Sequence, residues 1–133
     1  MTYSTLTATI SIMRTGNEDV LAESKYNDVE LLNLNKTAAK LEMKMDLEAA
    51  LAIEYTDTTT IDTVTDNFST RLARALAYKQ LAMFYQTNDS GEGTKNRYRF
   101  ELYSDKYHTE KNGFSQLLLT APSTTVSSTP IWR

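Results

Sequence analysis

Residues 68–86 read FSTRLARALAYKQLAMFYQ, a run of strong helix formers with neither glycine nor proline. Phe68, Leu72, Ala75, Leu76 and Met83 mark one side of such a helix, and Ala73, Ala77, Leu81 and Phe84 mark another. A single face does not account for all of them. A helix that is apolar on more than one side needs more than one partner surface, so this stretch implies a helical bundle.

The flanking segments supply those surfaces. Residues 35–55, NKTAAKLEMKMDLEAALAIEY, also lack Gly and Pro. Leu34, Ala38, Leu41, Met45, Ala49 and Ala52 recur at spacings of three and four, the stripe a helix is expected to bury. Met43, Leu47, Ala50 and Leu51 lie off it, so this helix too is apolar on more than one side. Between the two helices a Thr/Asp-rich loop, TDTTTIDTVTD (56–66), stops the pattern, and Asp66 or Asn67 can cap the helix over 68–86. On the far side TNDSGEGTKN (87–96) is turn chemistry, with Gly91 and Gly93 free to take positive φ.

A last helix is expected over about residues 97–119, with Phe100, Tyr103, Tyr107, Phe114 and Leu117 on one face; Gly113 is a point where it bends or ends. Upstream, Asn27 followed three residues on by Glu30 imitates a capping box, predicting a short helix from about Asp28.

The two ends differ from this middle. Residues 1–20 and 120–133 are rich in Ser and Thr, and Gly16, Pro122 and Pro130 punctuate them. TYSTLTATISIM alternates, with Leu6, Ala8, Ile10 and Ile12 on one side and Thr5, Thr7, Thr9 and Ser11 on the other. That is a strand signature without an obvious partner strand in the chain. The expected architecture is therefore mainly α: a bundle of three to four helices over 21–119, an extended β-like N-terminal arm (1–20) and an extended C-terminal tail (120–133). The only tryptophan, Trp132, closes that tail in the sequence PIWR. Its apolar area calls for burial against something.

At 133 residues the chain fits one domain of ordinary size. It has no cysteine, which excludes disulfides and thiolate metal sites. No apolar run of membrane-spanning length and no signal-peptide pattern is present, so no membrane role is expected. The net charge of −3 is unevenly placed. Residues 17–66 carry 4 Lys against 12 Asp/Glu, a balance of −8, while residues 67–111 carry 8 Lys/Arg against 5 Asp/Glu, a balance of +3. Opposite halves attract one another within a chain or between neighbouring copies.

Chemistry is thin. His108 is the only histidine, and no P-loop, dinucleotide fingerprint, EF-hand or G-x-S-x-G motif occurs. Glu42, Asp46 and Glu48 lack histidine partners on a second helix and are expected to solvate one face, not to hold a metal. The expectation is a non-enzyme without cofactor. KNRYRFELY (95–103) interleaves Lys95, Arg97 and Arg99 with Tyr98, Phe100 and Tyr103, a mixture suited to phosphates and bases. Against it stands a pI near 5.1, wrong for a domain that mainly grips DNA.

Taken in order, the acidic Ala/Leu/Met helix, the Thr/Asp loop, RLARALAYKQLAMFYQ, the Gly loop and RYRFELYSDKYHTEKNGF resemble the head–tail connector proteins of tailed bacteriophages, also called adaptor or head-completion proteins. The resemblance covers about residues 28–119 and lies in element order and residue character. It implies a small helical bundle without a catalytic site. Such proteins assemble as a ring, usually of twelve copies, beneath the portal protein in the virion neck, after synthesis in the host cytoplasm. They extend the DNA channel towards the tail.

On that resemblance, the termini and loops reach neighbouring subunits, the portal, or the next tail or neck proteins. The expected contact residues are Ile131, Trp132 and Arg133 in the tail, Leu6, Ile10 and Ile12 in the arm, and Arg97 and Arg99 on the last helix. Docking of the tail on another subunit or ring stands beside the alternative that it folds back on its own bundle. Glu42, Asp46, Asp57 and Asp62 are the candidates to face passing genomic DNA, repelling the duplex without reading its sequence. The competing reading is a small helical DNA-binding or regulatory domain using the basic–aromatic face at 95–106.

Overall fold

The computed structural model describes residues 3–18, 21, 26–51, 69–88 and 95–115. After a 3-10 turn at Tyr3–Thr5 the helices are α1 (Ile10–Arg14), α2 (Asp28–Leu32), α3 (Lys36–Leu51), α4 (Ser69–Thr87) and α5 (Lys95–Asn112). The protein is mainly helical, and the described residues contain no strand.

Helix α4 is the centre. It buries Leu72, Ala75, Leu76, Ala77, Gln80, Leu81, Ala82, Phe84 and Tyr85, an arc too wide for one partner, and α5, α3 and α1 all pack on it. The expected two-sided helix of residues 68–86 is thus observed, shifted by one residue at each end.

The N-terminal β-like arm is not supported. Residues 3–14 form a 3-10 turn, an extended linker and α1, and Tyr3, Leu6, Ala8 and Met13 are buried in the common core. The physical reason is the missing partner strand: an isolated strand leaves its backbone groups unpaired, whereas this segment satisfies them on the helices. The Thr9 N–H donates to the Ala73 carbonyl of α4 at 3.3 Å. Lys40 Nζ donates to the Leu6 carbonyl at 3.1 Å, and the Tyr3 hydroxyl donates to the Lys40 carbonyl.

The capping box at the start of α2 is present. Asn27 Oδ1 accepts from the Glu30 N–H at 2.8 Å, and Glu30 Oε1 accepts from the Asn27 N–H at 3.0 Å. Asn35 then takes φ of 55°, a left-handed conformation that asparagine tolerates, and redirects the chain from α2 into α3. Buried Gln80 reaches from α4 to bind the Leu32 and Leu34 carbonyls at 3.2 and 2.6 Å, which no helix N–H satisfies at that turn.

Helix α3 presents the other correction. Its buried residues are Ala39, Met43, Leu47, Glu48 and Leu51. The stripe expected to be buried faces out: Leu41 is 55% and Met45 47% exposed, and Ala38 and Ala49 are exposed with them. Both stripes have helical spacing, and the core takes the one that faces α4, against which α3 packs.

Helix α5 ends at Asn112, where Gly113 turns the chain. A Cβ at position 113 would meet Nη2 of Arg71, the far end of a flexible side chain, which would have to swing aside. The loop 52–68, with Asp57, Asp62 and the expected cap at Asp66 or Asn67, lies outside the described residues. So does 116–133, with Leu117, Ile131, Trp132 and Arg133.

Candidate functional site

Three features of the surface and core bear on function, and the first is a cleft between α3, α4 and α5. Lys79 of α4 reaches Glu42 of α3 at 2.9 Å and lies 4.8 Å over the ring of Tyr107 of α5. The Tyr107 hydroxyl donates to Asp46 Oδ2 at 2.5 Å, and Lys111 Nζ stands 3.8 Å from Asp46 Oδ1. Burial first, and then the hydrogen bond to Asp46, push the Tyr107 phenol well above its ordinary pKa. Exposed His108 lines the rim.

Each carboxylate faces a lysine, so local charge is balanced, and no nucleophile is paired with a base. The cleft's two lobes hold about 90 and 270 Å³. Among the described residues no group of three or more His, Cys, Asp or Glu is placed to share a metal. Two of the acids expected to face DNA, Glu42 and Asp46, are therefore brought together here as structural ion pairs.

The second feature is the basic–aromatic run of α5, in which Tyr103 is buried, Arg97, Arg99 and Phe100 are half-buried, and Lys95, Tyr98 and Glu101 are exposed. Tyr103 is buried, stacking on Tyr85 at 6.0 Å and on Tyr78 at 6.3 Å between ring centroids. Arg99 donates to the Tyr85 hydroxyl at 3.3 Å and lies 5.6 Å over the Tyr85 ring, and Arg97 meets Glu101 at 3.4 Å. Of the run's aromatics, Tyr98 is the one that is fully presented, at 65% exposure. Bases cannot stack on rings already packed against one another.

The third feature escaped sequence reasoning: the outward stripe Ala38, Leu41, Met45 and Ala49 on α3. Its spacing was visible, but not which way it pointed. Of the contact residues expected in the arm, Leu6 is fully buried in the chain's own core, while Ile10 and Ile12 are partly buried against it. Glu48, expected at the surface, is 4% exposed with neither carboxylate oxygen hydrogen-bonded. No helix is long and apolar enough to cross a membrane among the described residues.

No protein-family model, curated protein or solved structure matches this chain.

Proposed function

We propose that the chain is a structural virion protein, a head–tail connector that assembles as a ring under the portal and extends the DNA channel. The observation that carries this reading is the exposed Ala38–Leu41–Met45–Ala49 stripe. A helix that fills one face with core and leaves a second apolar face uncovered has surface reserved for a partner. A body of three long helices in the order of that family, with a cleft closed by ion pairs, agrees with a building block more than with an enzyme.

In this reading copies of the chain contact one another, the portal and the tail or neck proteins, through residues that include Ile10, Ile12 and the segment ending in Ile131, Trp132 and Arg133. The duplex passes without base contacts. Glu42 and Asp46 are neutralised by Lys79 and Lys111, so the acids left to line a channel are Asp57 and Asp62.

The test is antibody labelling of virions from a phage that encodes the chain, imaged by electron microscopy. Label confined to the head–tail junction is expected. Particles free of label, with the chain found only in lysates of infected cells, would contradict the reading.

A further inference from the structure

We propose that, in the unassembled subunit, the outward stripe of α3 is the docking surface for the chain's own C-terminal segment, with Ile131 and Trp132 as the seated side chains. The contact does not depend on the virion reading.

The stripe has the right form. From Ala38 to Ala49 it runs about 16 Å along the helix. Leu41 and Met45, about half exposed, stand in its middle, and the two alanines leave lower ground at either end where a large ring can lie. The Met45 thioether is a favourable neighbour for an indole.

The chain leaves the bundle close to this surface. On α5, Tyr107 and Lys111 both contact Asp46, the residue after Met45, and Ser115 lies one helical turn beyond Lys111. The fifteen residues 116–130 then lead to Ile131. By chain statistics a segment of that length has a root-mean-square span of about 20 Å, roughly two helix diameters. A tether of that length holds its tip at an effective concentration in the millimolar range. At micromolar protein the chain's own tail therefore fills the stripe ahead of any second copy. Pro130 restricts the approach to the anchor and lowers the entropy lost on docking. Assembly through the stripe would then require the tail to leave first, which keeps lone subunits apart.

Trp132 is the only tryptophan, so fluorescence reports on the tail alone. The full chain should emit at the shorter wavelengths of a buried indole across a hundredfold dilution series. The pair Leu41→Glu and Met45→Glu should move emission to that of a solvated indole and raise acrylamide quenching several-fold, with unchanged far-UV circular dichroism. Should that variant fail to fold, the methyl resonance of Met45 serves instead. Trp132→Ala should remove its ring-current shift while leaving that of buried Met43 in place. Solvated emission from the native chain, burial that survives the stripe substitutions, burial lost on dilution, or a Met45 methyl indifferent to Trp132→Ala would each overturn the proposal.

Discussion

Asn17 Nδ2 donates to the Tyr103 hydroxyl at 2.9 Å, joining residues 86 apart in sequence inside the core. Asn17 is 0% exposed and also accepts from the Tyr85 hydroxyl while donating to the Met13 and Thr15 carbonyls. One side chain thus ties the N-terminal segment to both α4 and α5, and it completes a network in which each member has a partner. Satisfied buried networks of this kind specify a single arrangement of the elements that share them.

Asn17→Ala removes the Asn17 bond of the buried Tyr103 hydroxyl and one of the bonds of the Tyr85 hydroxyl, and a buried group deprived of its partner costs about 1–3 kcal/mol. The variant is expected to lose about 2–4 kcal/mol by urea denaturation. Tyr103→Phe removes one of several bonds made by Asn17 and should cost about 1 kcal/mol. An Asn17→Ala protein as stable as the native one would show that the N-terminal segment is not part of the core.

Glu48 is a carboxylate in the interior without a hydrogen bond. Glu48→Gln keeps its shape and removes the charge, so a gain of about 1 kcal/mol or more is expected, read as a higher melting temperature. A loss of stability instead would mean that the carboxylate is held by a partner of opposite charge.

The Tyr107 and Tyr3 phenols both have pKa values raised by burial above the ordinary 10.0. A group whose folded pKa exceeds its unfolded one stabilises fully below the unfolded value, and that contribution is lost as pH rises. Native stability should therefore fall steeply above pH 10. Tyr107→Phe should be less stable at neutral pH, having lost its bond to Asp46, yet show a shallower decline in alkali. Parallel profiles for the two proteins would contradict the burial of Tyr107.

How much of this was legible in the sequence depends on how local the cause was. The capping box at Asn27 and Glu30 involves residues three apart, and it could be read directly. The span of α4 and the end of α5 at Gly113 came from composition and turn chemistry. The direction of α3 did not. Ala38/Leu41/Met45/Ala49 and Ala39/Met43/Leu47/Leu51 are both apolar stripes, and the choice between them is made by Gln80, Leu81 and the rest of α4, which are distant in sequence. The N-terminal alternation misled for the same reason: Leu6 and Ala8 answer to helix surfaces, and no strand stands among the described residues to make the pattern meaningful. Arg99, expected at a partner surface, also reaches Tyr85, a contact no spacing rule reveals.

Helix α3 has one apolar face in its own core and a second one exposed, and matched thermal and urea melts of Leu47→Asp and Leu41→Asp test that division most directly. Leu47 is fully buried, so an aspartate there should cost several kcal/mol and unfold much of the protein at physiological temperature. Leu41→Asp should melt within about 0.5 kcal/mol of the native chain, apart from any share due to a displaced tail, and on the proposed reading should lose assembly in the virion neck. Equal and large destabilisation by both substitutions would place Leu41 in the core and contradict a two-faced α3.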